Sequence, residues 1–264
     1  MEDTVARTFR LSEMHSPEAA EAMRNALNDD SLSLKAALQI DKSLSDDSFR
    51  KAIRAEVLDN LIRDTKTLVE ISPEKLALMG RYTFIHTVLK CKRKKRADNT
   101  YDKHKARMAA RGDEYLRKLL QKGGHLPKCF SPTIIPLTFA YVLQIAAAKN
   151  LFRASQDIKY AYLNADMPEE VEPIITKLDD DIARICGLPL GRLYRIMKAM
   201  YGLPASGRYW YLHYTERLKA EGYAKSNFDP CLFYRITADE TTYICLFVDD
   251  TYIFSNKAEY VEDL

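Results

Sequence analysis

Hydrophobic and polar positions are patterned unevenly along the chain. Residues 1–45 are rich in Ser, Asp, Glu and Ala and poor in aromatics, so residues 1–47 are expected to be a leader or linker with little order. From Ser48 the pattern tightens. Phe49, Ile53, Val57, Leu61 and Ile62 recur at helical spacing with charges between them. This predicts an amphipathic helix with Ser48 as its cap. A short apolar stretch, Tyr82 to Leu89, reads as a strand. The turn residues Ala97-Asp98-Asn99-Thr100 follow it, and Lys103 to Arg111 then reads as a second, basic strand. The two predict a hairpin with positively charged arms.

Gly123-Gly124 and Pro127 mark a loop, and Ser131-Pro132 opens a helix from about Leu137 to Lys149. Leu137, Tyr141 and Ile145 lie on one face of it. Leu151 to Ser155 is an approach strand that leads into Asp157. Tyr209 to Glu221 reads as a further helix, with Gly222 where a C-terminal cap is expected. Thr242 to Val248 and Thr251 to Phe254 are apolar, β-prone runs with Asp249-Asp250 between them. No internal repeat is visible.

Composition refines this picture. The chain has 264 residues, enough for one or two domains with a sizeable core. Hydrophobic residues make up 47% and charged residues 29%, which places the bulk among globular chains. The net charge of +3 does not by itself call for a nucleic-acid partner. The local run Lys90, Lys92, Arg93, Lys94, Lys95, Arg96 does. It suits a phosphate backbone, and equally a nuclear-localisation patch or a solvated edge strand. The five cysteines are scattered without a CxxC pair, which argues against a disulfide framework and a structural zinc site. Met1 to Arg10 has no apolar run of the signal-peptide kind. The most apolar stretch, Ile134 to Ala148, is too short for a bilayer core of about 30 Å. A soluble intracellular protein without a membrane partner is expected.

The sharpest chemistry lies in Asp249-Asp250. Adjacent acids between apolar strands repel each other. They either form a polar hairpin turn or are neutralised by a hard divalent cation such as Mg²⁺. Asp157, at the end of another β-like segment, is the candidate to join them. If the two segments are sheet neighbours, the acids converge and suit two metal ions about 3.5–4 Å apart.

The residues resemble one family. Asp157-Ile-Lys-Tyr-Ala-Tyr-Leu-Asn-Ala-Asp-Met-Pro-Glu-Glu170 resembles the first catalytic motif of Ty1/copia-type retrotransposon reverse transcriptases. Ala199-Met-Tyr-Gly-Leu-Pro-Ala-Ser-Gly-Arg-Tyr-Trp-Tyr211 is similar to the segment that meets template and nucleotide, and Phe247-Val-Asp-Asp250 to the two-aspartate hairpin. The stretches 94–100, 104–112, 130–132 and 192–198 also fit. The motifs occur in the family's order, and the resemblance covers roughly residues 48–264.

The resemblance implies an α+β fold. A palm, an antiparallel sheet backed by helices, would occupy residues 151–264, and an α/β fingers region residues 48–150. It implies template-directed DNA synthesis on RNA or DNA with Mg²⁺ (two ions, Mn²⁺ as a substitute). Asp157 and Asp249 would be the main metal ligands and Asp250 the third acid. Tyr162 would be a steric gate under the sugar, its alternative being a core tyrosine. The backbone of Ile158 to Ala161 would approach the triphosphate. Gly202 would let the chain approach nucleotide or template closely, or simply make a turn. Lys105, Arg107 and Arg111 are candidates for the triphosphate oxygens. Lys92, Arg93, Lys94, Lys95 and Arg96 are candidates for the nucleic-acid backbone. Trp210 either stacks on a base or, as the better-supported choice, packs against the palm. The implied partners are template-primer, deoxynucleoside triphosphates, and the integrase and RNase H parts of a polyprotein. The implied location is a cytoplasmic particle with nuclear access.

Two departures stand out. Family members carry Lys-Gln-Ser-Pro where this chain has Pro204-Ala-Ser-Gly207, and Pro173 to Gly187 reads unlike the family. The sequence also stops fourteen residues after Asp250, without room for a thumb, so a fragment is expected. Alongside the polymerase stand a truncated remnant that binds nucleic acid without turnover and a metal-dependent phosphohydrolase using the same acids.

Overall fold

The computed structural model describes residues 32–96 and 100–259. Of the expected leader, residues 1–31 lie outside these, as do 97–99 of the expected turn. The remainder of the leader is regular structure: strand β1 (Leu32–Ser33) and a helix, Leu34–Ser43, capped by Ser33, whose hydroxyl accepts from the Ala36 amide. Its Ala37 and Ile40 are buried, and so is Asp41.

Asp41 corrects the expected cap. The next helix, Ser48–Arg54, receives no side-chain cap from the residue before it. The Asp41 carboxylate instead accepts from the amides of Phe49 at 3.2 Å and Arg50 at 3.0 Å. A buried anion thus meets the orphan donors of a helix N-terminus. Ser48 turns its hydroxyl to Asp46. The helix continues as a π-helix over Ala55–Asp64. Phe49, Ile53, Val57 and Leu61 are all fully buried. A spacing of four overshoots the α-turn of about 3.6 residues, and the wider π-turn corrects the drift.

Strand β2 (Leu68–Ile71) and a short helix, Pro73–Leu78, follow. The single strand expected over 82–89 is divided into β3 (Thr83–Phe84) and β4 (Thr87–Lys95), and β4 carries the basic run. β5 (Tyr101–Ala110) pairs antiparallel with β4 as expected. The helices Gly112–Gln121 and Pro136–Ala148 lead to β6 (Phe152–Asp157) and a 3₁₀ turn, Ala161–Asn164. Next come β7 (Ile174–Lys177), the helix Asp180–Cys186, β8 (Leu193–Ile196) and the helix Ser206–Ala220. β9 (Ala224–Lys225), β10 (Leu232–Ile236), β11 (Thr241–Phe247) and β12 (Asp250–Ser255) close the described chain. The fold is mixed α+β, with sheets ordered β1-β4-β5, β2-β8-β7-β3 and β6-β12-β11-β10-β9.

Two compact units are not contiguous in sequence. One holds the described residues within 1–80, 84–111 and 175–195, the other those within 81–83, 112–174 and 196–264. Residues 112–150, read with the fingers, therefore cluster with the two-aspartate hairpin, and 175–195 leave the region read as palm.

The core of the second unit joins Phe233, Ile244, Cys245, Leu246, Ile253 and Phe254 of the five-stranded sheet to both of its long helices. Val142 and Ala146 serve the helix Pro136–Ala148, and Tyr211 and Leu218 the helix Ser206–Ala220. The sequence face Leu137, Tyr141, Ile145 is the outer one, with exposures of 63%, 58% and 37%. The helix is apolar nearly all round, so periodicity alone could not choose its buried side. No helix of the described residues is long and apolar enough to cross a membrane.

Candidate active site

The sheet register assembles the acids. β6 is an edge strand paired antiparallel with β12, and Asp157 stands directly opposite Asp250. Cross-strand partners share a face, with Cα atoms about 4.5–5.5 Å apart. Both acids are exposed, whereas Asp249 is half-buried. Like charges directly opposite are unfavourable, and a cation between them would reverse the sign.

Asp249 sits in the turn between β11 and β12. Phe247 pairs with Asp250, leaving Val248 and Asp249 as a two-residue loop. Val248 has φ +60°, the positive value that the first central position of a type II′ turn requires. Glycine is the usual residue there, and a β-branched side chain in that region costs about 1–3 kcal/mol. The surroundings hold the turn at three points. The Ile158 amide donates to Asp249 O at 3.0 Å. The Trp210 indole N–H donates to Val248 O at 2.7 Å. Tyr214 Oη lies 3.4 Å from Thr251 Oγ1, within hydrogen-bond reach. Burial pushes the Tyr214 phenol above its ordinary range.

The donor set suits a hard cation. Among the described residues no three His, Cys, Asp or Glu side chains form a ready-made metal cage. Mg²⁺ does not need one, since it uses one or two carboxylates and completes its shell with water and substrate phosphates. The facing pair Asp157 and Asp250, with Asp249 beside them, fits that requirement.

Tyr162 lies in the 3₁₀ turn just beyond Asp157, entered through Tyr160 in the left-handed region at φ +57°. Its half-buried ring is 5.1 Å from that of Tyr201. The departure at 204–207 borders it: a Cβ on Gly207 would stand 3.4 Å from Tyr162 Oη and 3.4 Å from Ser131 Cβ. Ser131 Oγ donates to Gly207 O at 3.0 Å. Gly202 has φ +90° and is exposed, and its carbonyl presses on Gly112, where a Cβ would lie only 2.1 Å from Gly202 O. The amides of Ile158 and Ala161 are already engaged, on Asp249 O and Ile158 O. The odd segment 173–187 is regular, its helix capped by Asp179 at one end and by Gly187 at φ +68° at the other.

In the first unit, the β4–β5 register sorts the basic residues. Lys90 faces Arg107, Lys92 faces Lys105, and Lys94 faces Lys103. Six cations therefore form three like-charged rungs on one face. Burial, then Arg107, Lys94 and Lys103, hold the Lys105 ammonium below the ordinary lysine range. Lys105 and Arg107, read as triphosphate candidates, thus share a face with Lys92 and Lys94, read as backbone candidates. Arg93 and Lys95 fall on the opposite face, opposite His104 and Tyr101, and Arg93 lies 5.2 Å over the Tyr101 ring. Arg96 pairs with Asp102 at 3.9 Å. Arg111 follows β5, its amide on His86 O. The run of adjacent basic residues concealed this alternation, which only pairing with β5 reveals.

The contacts of Trp210 and Tyr214 with the turn were not foreseen. Their i, i+4 spacing put them on one helix face, and nothing in the sequence pointed that face at Val248.

The comparisons with known proteins give the family. Residues 67–264 match the family model described as reverse transcriptase (RNA-dependent DNA polymerase). The chain is 27% identical over 207 residues to the Retrovirus-related Pol polyprotein from transposon TNT 1-94 of Nicotiana tabacum, covering 77% of this chain and 14% of that protein. It is 26% identical over 219 residues to the Retrovirus-related Pol polyprotein from transposon RE2 of Arabidopsis thaliana, covering 81% and 14%. With the Transposon Ty1-LR2 Gag-Pol polyprotein of Saccharomyces cerevisiae it shares 32% over 165 residues, covering 61% and 8%. The chain thus spans about one seventh or less of these relatives' length. With a family match over three quarters of its residues and relatives among copia- and Ty1-type elements, the chain belongs to the reverse transcriptase family, in its retrotransposon branch.

Proposed function

We propose that this chain is the polymerase core of a copia-type retrotransposon polyprotein, adding deoxynucleotides to a primer 3′-hydroxyl on an RNA or DNA template. The observation that carries the reading is the placement of Asp157 directly opposite Asp250, with Asp249 in the adjoining turn. In this reading the five-stranded sheet and its two helices are the palm.

Asp157 and Asp249 hold two divalent ions, and Asp250 supports them or the primer end. When bound, Mg²⁺ supplies charge neutralisation at the α-phosphate and lowers the pKa of the attacking hydroxyl. Tyr162 packs under the sugar and disfavours a 2′-hydroxyl. The 204–207 departure leaves its phenol more room than a larger residue at 207 would. The six-cation face of the β4–β5 hairpin neutralises phosphates. Lys105 and Arg107 serve the triphosphate, and Lys92 and Lys94 the nucleic-acid backbone. Integrase and RNase H would be supplied by other parts of the polyprotein.

Primer extension with Mg²⁺, comparing the chain with Asp249→Asn, tests the reading. Extension that the substitution abolishes supports it. The like-charged rungs favour a second reading, a nucleic-acid binder without turnover. Absent extension with retained salt-sensitive binding would select that one.

A further inference from the structure

We propose that Trp210, assisted by Tyr214, is a positioning residue: it clamps the strained turn that presents Asp249 and Asp250. The proposal rests on the reading of those acids as metal ligands. Three observations carry it. The indole N–H donates to the carbonyl of Val248, the residue whose β-branched side chain is held at φ +60°. Tyr214, one helical turn on, stacks on Trp210 with ring centroids 5.1 Å apart and reaches Thr251 Oγ1. The two contacts, at positions 248 and 251, bracket the two aspartates.

The indole is 3% exposed, so it does not stack on a base; its donor is spent on the turn. The turn has reason to need a clamp. Val248 is not a residue that holds positive φ unaided, and the local alternative, a relaxed backbone, would swing Asp249 away from Asp157. Residues that orient metal ligands without touching the ion typically change metal affinity by about 10–100-fold. Trp210 is also the chain's single tryptophan, so its emission reports on one place only, the cluster with Ala161, Ala165 and Ala199 that borders this turn.

The test compares the chain with Trp210→Phe, which keeps an aromatic ring but has no donor, and with Tyr214→Phe. Amide hydrogen exchange over residues 247–252 is read first, below the melting temperature of each variant. Mn²⁺ binding is then read by the loss of free-ion paramagnetic resonance, with Asp249→Asn as control. We expect exchange in the turn to rise in Trp210→Phe while β10 stays protected, and Mn²⁺ affinity to fall about tenfold. Unchanged exchange in the turn overturns the proposal whatever the metal does. Faster exchange with unchanged Mn²⁺ affinity overturns the positioning role and leaves a packing role. If Trp210→Phe does not fold, Tyr214→Phe decides by the same two readings. Mn²⁺ binding that Asp249→Asn does not weaken refutes the metal-site reading instead, while exchange still judges the clamp.

Discussion

Replacing both members of one like-charged rung, Lys92→Gln with Lys105→Gln, should weaken nucleic-acid binding and stabilise the free protein. The two effects have opposite signs because the rung has one cause for each. Directly opposed like charges cost about 0.2–1 kcal/mol per pair, and the variant recovers that. Each phosphate neutralised on duplex DNA contributes about 0.9 to the slope of log K against log salt. Six cations on one face therefore set an upper slope of about 5, and the variant should lower it by about 2. Fluorescence anisotropy with a labelled duplex at several salt concentrations reads the slope, and thermal or urea unfolding reads the stability. Arg93→Gln is the internal control. It removes one charge from β4, next to Lys92 in sequence but on the face that carries the Tyr101 contact. Its slope should stay that of the parent while its stability falls. An unchanged slope in the double variant, or a drop of about 1 in Arg93→Gln, the same per charge as in the double variant, would refute the reasoning from register.

Gly112→Ala should destabilise by about 1–3 kcal/mol in chemical unfolding, because its Cβ would fall 2.1 Å from the Gly202 carbonyl oxygen, a backbone atom with little freedom to yield. Tyr162→Ala should raise ribonucleotide incorporation relative to deoxynucleotide in primer extension, and an unchanged ratio would remove it as the gate. Glu56 gives a pH prediction. Burial raises its carboxyl pKa, opposed by its bonds from the Met108 amide and Asn60 and by the nearby Arg107 and Lys105. Its folded pKa lies above the unfolded value, so its ionisation opposes folding, absent below the unfolded pKa and complete above the folded one. Glu56→Gln retains an acceptor for Met108, so its melting temperature relative to the parent should be higher at pH 7 than at pH 4. A difference that does not change with pH would exclude ionisation as the cause.

Local pattern carried much of this protein. Turn residues and apolar runs marked β6, the β11–β12 hairpin and, from Tyr209 on, the helix that begins at Ser206, because those preferences are settled within a few residues. The ordered motifs around Asp157, Tyr201-Gly202 and Asp249 identified the family for the same reason. What pattern missed was decided between segments distant in sequence. Asp41, not Ser48, supplies the helix cap, since a buried carboxylate eight residues upstream outbids a neighbouring hydroxyl. The outer face of Pro136–Ala148 could not be told from the inner while both were apolar. Adjacent basic residues read as one patch until β5 divided them by face. The three acids illustrate the division best. The sequence determined that they exist, that Asp157 ends one β-prone segment and that Asp249-Asp250 lies between two others. Only the pairing of β6 with β12 set Asp157 against Asp250, and only the packed fold brought the Ile158 amide and a helix side chain to the strained Val248 turn. Strand neighbours and side-chain reach depend on how the whole sheet packs, and no short window of residues contains that information.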